Sequence, residues 1–236
     1  MGDFSDTELI VALDVPSLEK ERELVQALKP TVKWFKVGKE LFTRYGPEAV
    51  ACVRDEGLNV FLDLKYMDIP NTVEGAVKAA WKLGVRMVTV HTSAGPAVVK
   101  SAVDAAADTE LKILGVTVLT SMDENELKAV GVNDSVEQQV ERLACLAKDQ
   151  GAPGIVCSGR EIERIRRVCG SDFLLVVPGI RPAGSQRGDQ KRAMTPAEAA
   201  SAGADYIVVG RPVTAADNPR QAAENIMEEV KQAGAP

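Results

Sequence analysis

The sequence predicts an α/β chain closed as a single (β/α)8 TIM barrel, and three observations carry that expectation. Short runs rich in Val and Ile alternate with longer segments of helical period along the whole chain, the pattern of a parallel sheet whose crossovers are helices. The apolar runs number eight, near 9–14, 33–37, 59–65, 86–91, 112–119, 154–158, 173–178 and 205–209. The length of 236 residues suits one such barrel, with no repeat, low-complexity tract or linker to divide it. Residues 1–236 therefore read as one domain, with the active site at the C-terminal ends of the strands.

The segments between strands carry helix-start signals. Ser121 to Glu124 and Thr195 to Glu198 have the spacing of capping boxes, the second with Pro196 at the first helical position. Asn71, three residues before Glu74, and Asn218, just before Pro219, offer two more N-caps. One long stretch lacks an apolar run, about 181–192 (RPAGSQRGDQKR). It follows the seventh strand, on the face where barrel loops meet the substrate, and its Gly and polar content suits a lid.

Composition excludes several classes of function. A net charge of −6 with scattered basic residues argues against a nucleic-acid partner. The four cysteines, Cys52, Cys145, Cys157 and Cys169, lack the close paired spacing of zinc sites or disulfide frameworks and read as reduced thiols. A single histidine, His91, rules out a His-based metal cluster, and no Gly-rich dinucleotide fingerprint follows a strand. The first eight residues are polar and acidic, unlike a secretion signal, and no apolar run approaches membrane-spanning length. A soluble, cytoplasmic enzyme with no membrane association is expected.

The third strand carries the chemistry. In Phe61-Leu-Asp63-Leu-Lys65, residues two apart share a face, so Asp63 and Lys65 project together while Leu62 and Leu64 face the other way. Other strand ends read Asp14, Lys36, His91, Thr120, Ser158, Gly179 and Gly210 with Arg211. Polar residues at strand ends are ordinary where a chain approaches water, and His91 and Ser158 read as structural. Four charged groups converging on one barrel mouth do not. A buried structural ion pair contributes little to stability, and a further carboxylate at Asp68 would be surplus to one. The turns Pro178-Gly179-Ile180-Arg181 and Val209-Gly210-Arg211 follow strands seven and eight, where barrels commonly hold phosphate through backbone N–H groups. A phosphate monoester or nucleotide is the expected ligand.

These residues resemble the orotidine 5'-phosphate decarboxylases of bacterial type, from about Ile10 to the last helix. Asp63-Leu-Lys-Tyr-Met-Asp68-Ile-Pro-Asn-Thr72 is similar to that family's D-x-K-x-x-D-I-P-x-T segment. It is joined in order by Ala12-Leu-Asp14, Phe35-Lys36-Val-Gly38, Pro178-Gly-Ile-Arg181, Gly188-Asp-Gln190 and Val209-Gly-Arg211. The chain departs from many relatives at Met67, where they carry His, and at Tyr66, where they carry Phe.

The resemblance implies loss of carbon dioxide from orotidine 5'-phosphate to give UMP, the last step of pyrimidine synthesis, with no metal and no organic cofactor. It implies that Lys65 protonates the pyrimidine carbon as the carboxylate departs, within an array of alternating charge formed by Lys36, Asp63, Lys65 and Asp68. Asp14 resembles the ribose-hydroxyl ligand, Thr120 a pyrimidine contact and Gln190 the lid residue on the phosphate side, while Arg181, Gly210 and Arg211 complete the phosphate grip. The family forms homodimers in which Asp68 and Thr72 reach the partner subunit's site. Physically, four alternating charges sum to zero and keep the ammonium groups cationic, and a fixed cation stabilises a developing carbanion where water is excluded. The rivals are a Mg-dependent sugar-phosphate decarboxylase or aldolase of the same superfamily, whose acidic metal ligand stands where this chain has Lys36, and a non-catalytic nucleotide-binding barrel.

Overall fold

The computed structural model describes residues 7–182 and 194–233. Eight parallel strands form a closed barrel in chain order: β1 Glu8–Ala12, β2 Trp34–Gly38, β3 Asn59–Tyr66, β4 Met87–His91, β5 Lys112–Val116, β6 Gly154–Val156, β7 Leu174–Val177 and β8 Tyr206–Val209. Every expected strand is present, and the largest differences are shorter C-terminal ends at β5, β1 and β6. Around them run α1 Leu18–Leu28, α2 Lys39–Tyr45, α3 Pro47–Arg54, α4 Pro70–Lys82, α5 Pro96–Ala106, α6 Glu124–Ala129, α7 Val136–Asp149, α8 Ile162–Cys169, α9 Pro196–Ala202, α10 Arg211–Thr214 and α11 Pro219–Ala233. Among the described residues no helix is long and apolar enough to cross a membrane.

Strand alternation sorts the side chains into two cores. Leu9, Val11, Phe35, Val37, Val60, Leu62, Val88 and Val90 belong to the larger cluster, between sheet and helices. Their neighbours Ile10, Ala12, Trp34, Phe61, Met87 and Leu114 fill the barrel with Val176, Tyr206 and Val208. Trp34 and Tyr206 meet edge to face with ring centroids 5.4 Å apart, a favourable aromatic geometry. The barrel is thus a packed core, and Lys36 and Asp63 stand at its upper end.

Two helix starts differ from expectation. At α6 the capping box is Asp123 with Glu126, not Ser121 with Glu124: Asp123 Oδ1 accepts from the backbone N–H of Asn125 and Glu126 at 3.0 and 3.2 Å, and Glu126 accepts from Asp123 N–H at 2.9 Å. Both tetrads fit the motif by spacing, and the carboxylate takes two of the N–H groups a helix leaves unsatisfied. At α4 the helix opens on Pro70 with Ile69 extended at ψ 153°. Proline suits the first helical position and forces its predecessor out of the helical region, so Asn71 lies within the first turn and caps nothing. The Thr195 and Glu198 box forms as expected, and Asn218 Oδ1 accepts from Gln221 N–H at 3.2 Å at the start of α11.

Candidate active site

The polar end of the barrel begins at β2. Lys36 faces inward between Ala12 and Phe61 in the strand register, with its stem in the core and its ammonium at the mouth. Lys36 Nζ lies 3.1 Å from Asp14 Oδ1 and 3.8 Å from Asp63 Oδ2. Asp63 in turn holds Lys65 Nζ on both oxygens, at 2.7 and 2.8 Å. Four side chains from three consecutive βα units thus form one line of alternating sign, Asp14, Lys36, Asp63 and Lys65.

Burial decides how strong these contacts are. The Lys36 and Asp63 side chains are 11% and 14% exposed, whereas Asp14 is 60% exposed. Water screens the outer pair and largely spares the inner ones. Burial by itself acts to raise the Asp63 pKa, yet the Lys36 and Lys65 cations, followed by hydrogen bonds from Lys65 and Thr89, overcome it and hold the carboxyl below its usual range. Asp63 is therefore a carboxylate at neutral pH.

The backbone at Lys65 is unusual. Its φ of 53° makes it the only non-glycine residue in the left-handed region among the described residues, a conformation costing roughly 1–2 kcal/mol. The β3–β4 ladder pairs Phe61 with Met87 and Leu62 with Val88, then resumes only at Tyr66 with Val90. Four steps on β3 thus oppose two on β4, a bulge of the kind that re-aims a side chain beside a site. Thr89, fully buried, lies in that gap: its Oγ1 accepts from Lys65 N–H at 2.8 Å and donates to Asp63 Oδ1 at 3.0 Å. Sequence reasoning passed over Thr89. Its inward position on β4, level with Leu114 of β5, is implicit in the alternation, but the bulge that brings Lys65 to it leaves no mark in the sequence.

Of the remaining expected residues, Thr120 lines a cavity of about 150 Å³ with Lys36, Asp63, Lys65, Val116 and Pro178. Gly179 has φ 81°, which favours glycine. Beyond it Arg181 N–H donates to Met194 O at 2.9 Å, and its guanidinium donates to Ile180 O at 2.8 Å. Gly210 caps the single turn of α10, and Arg211 is exposed as its first residue. Asp68 and Thr72 are both exposed; Asp68 Oδ1 accepts from Ile69 N–H at 2.6 Å, and among the described residues the hydrogen-bond partners of Lys65 are Asp63 and Thr89, not Asp68 or Thr72. Gln190, and the 183–192 part of the expected lid, lie outside the described residues.

His91 ends β4, with Nδ1 buried and lacking a hydrogen-bond partner. Burial first, then the Lys65 and Lys39 cations, hold its pKa below the usual value against the opposing pull of Asp63, so the imidazole is neutral at physiological pH. Among the described residues, no three His, Cys, Asp or Glu side chains come together as a metal site would require.

A parallel barrel with paired ammonium and carboxylate groups at the C-terminal mouth is the architecture of a TIM-barrel enzyme. The chain belongs to the Orotidine 5'-phosphate decarboxylase / HUMPS family, whose model matches residues 7–226. It is 50% identical to an orotidine 5'-phosphate decarboxylase of Syntrophotalea carbinolica over 233 residues, with 96% of each chain covered. Its identity to that of Moorella thermoacetica is 49%, covering 95% of this chain and 92% of the relative. Among solved structures, the orotidine 5'-phosphate decarboxylase of Lactobacillus acidophilus superposes with a TM-score of 0.85 at 38% identity, over 95% of this chain and 99% of that one.

Proposed function

We propose that the protein decarboxylates orotidine 5'-phosphate to UMP, the last step of pyrimidine synthesis, without a metal or organic cofactor. The observation that carries the reading is the Lys65 ammonium seated on both oxygens of Asp63, in a chain half identical over nearly its full length to decarboxylases of that name. In the reaction the bond between the pyrimidine ring and its carboxylate breaks, carbon dioxide leaves, and the electron pair stays on the ring carbon. Lys65 donates its proton to that carbon. Its fixed cation and that of Lys36 stabilise the developing negative charge, an electrostatic contribution already in place before the substrate reacts.

The other roles follow the positions. Asp14, exposed at the rim, binds the ribose hydroxyls, with Lys36 bridging it to Asp63. Thr120, on the cavity wall, contacts the pyrimidine. The Gly179 turn with Arg181, and Gly210 with Arg211, hold the phosphate, with Gln190 added from the lid. Asp68 and Thr72 serve the site of a second subunit in a homodimer. The exposure of Met67 and Ile69, at 60% and 66%, supports an interface at this segment, because large apolar side chains flanking an exposed carboxylate gain most from being covered. Free thiols at all four cysteines suit a cytoplasmic location.

The absorbance assay on orotidine 5'-phosphate tests this reading, run with EDTA present. Conversion to UMP undiminished by the chelator is expected. Activity lost with EDTA and restored by Mg2+ would instead favour the sugar-phosphate rival, and binding without turnover the non-catalytic barrel.

A further inference from the structure

We propose that Thr89 is the positioning residue of the proton donor: its single hydroxyl fixes both the strained backbone of Lys65 and the carboxylate on which the Lys65 ammonium sits. The inference rests on the decarboxylase reading for its kinetic consequence and on geometry alone for its structural one. The direction of both hydrogen bonds is unambiguous. A backbone amide only donates and a carboxylate only accepts, so Thr89 Oγ1 receives the Lys65 N–H at 2.8 Å and passes its own proton to Asp63 Oδ1 at 3.0 Å.

The arrangement solves a problem that the bulge creates. Between Leu62 and Tyr66 the β3 backbone leaves the ladder with β4, and a buried N–H without an acceptor there would be costly. The hydroxyl replaces the missing ladder partner and keeps Lys65 at φ 53°. That turn brings its ammonium back onto Asp63, two residues earlier on the same strand. Because Thr89 is fully buried, water does not supply a substitute when the hydroxyl is removed. Thr89 bonds the Lys65 backbone and the Asp63 carboxylate and is not among the residues lining the cavity, so it acts through Asp63 and Lys65.

Thr89→Val keeps the shape and removes both hydrogen bonds, whereas Thr89→Ser keeps the hydroxyl. The valine variant should lose about ten- to hundredfold in kcat with little change in KM, the range expected when a reacting group is misplaced by about an ångström. Among the described residues the charged and titratable groups around Asp63 are Lys36 from β2, Lys65 from its own strand and His91 from β4, with Asp14 beyond Lys36. All of these remain, so the loss of the Thr89 bond alone should move the acid limb of kcat/KM to higher pH. Serine should restore both the rate and the limb.

The substrate-free readout is exchange of the Lys65 amide proton, which should accelerate in the valine variant and be protected in wild type and serine. Unchanged kcat, acid limb and exchange in the valine variant would overturn the proposal. So would a serine variant as impaired as the valine one, because shape and not the hydroxyl would then matter. Thr89→Ala carries the same outcomes should valine fail to fold. A wild-type chain inactive on orotidine 5'-phosphate would sink the decarboxylase reading and leave Thr89 to be judged by exchange.

Discussion

Gly38 closes β2 at the mouth, and the space its missing side chain leaves is occupied by the Asp14 and Lys36 pair. A Cβ there would sit 2.8 Å from Asp14 Oδ1 and 2.9 Å from Lys36 Nζ, well inside van der Waals contact. Its φ of −95° is open to any residue, so the glycine is explained by approach and not by backbone freedom. Both atoms in the way are the ends of flexible side chains, which move more cheaply than a backbone. Gly38→Ala should therefore leave the thermal midpoint nearly unchanged while separating the pair, lowering kcat/KM by about tenfold, or ~1.4 kcal/mol of transition-state stabilisation. Steady-state kinetics beside a thermal melt check this. A fall in the melting temperature with kinetics intact would mean that the pair relaxes without consequence and the backbone bears the strain.

At the scale of elements, the strands were legible because apolar runs of five or so residues with turn signals between them have few other solutions in a chain of this length. That Lys36, Asp63 and Lys65 would meet was equally legible, because charges at strand ends are expensive in a core without a purpose; Asp14 joins them from the exposed rim. Local competition was not legible: whether Ser121 or Asp123 caps α6, or Pro70 pre-empts Asn71, depends on which N–H groups are presented. Nor was the bulge that makes Thr89 a partner of Lys65. Away from the site, α1 carries Glu21, completely buried, with both carboxyl oxygens lacking a hydrogen-bond partner. Burial pushes its pKa up to about 7, opposed by the Cys52 thiol of α3 and by Arg22. A raised carboxyl pKa makes the folded state the better proton binder, so its protonated form supports the fold below the unfolded value of 4.5, and that support is lost as pH rises toward 7. Between pH 5 and 8 wild type should lose on the order of 2 kcal/mol relative to Glu21→Gln, whose side chain does not titrate. Urea unfolding of both proteins across that range measures the difference, and parallel pH profiles would show that Glu21 ionises as freely when folded as when unfolded.

For the whole molecule, the chain contains the line from Asp14 to Lys65 but leaves Asp68, between the exposed Met67 and Ile69, and Thr72, three residues past Ile69, turned outward. Asp68 is three residues from Lys65 in sequence, yet among the described residues its side chain is hydrogen-bonded only by the adjacent Ile69 N–H, and Pro70 then commits the chain to α4. A carboxylate placed this way is better situated to meet a second copy than to fold back on its own site. Methionine at 67 suits the same position, since a flexible thioether fills irregular gaps at a contact. The proposed shared site makes a definite prediction. Lys65→Ala and Asp68→Ala homodimers should each be nearly inactive, with their folds retained. In a heterodimer of the two, the site that keeps Lys65 receives an intact Asp68 from its neighbour, while the other site lacks both. An equal mixture after complete subunit exchange, half of it heterodimer, should therefore recover roughly a quarter of wild-type turnover. Activity measured against mixing time, with exchange followed independently by a mass-labelled subunit, gives the result directly. If subunits exchange and turnover stays at the level of the parents, Asp68 acts within its own protomer, and the outward turn at Ile69 must reverse when substrate binds.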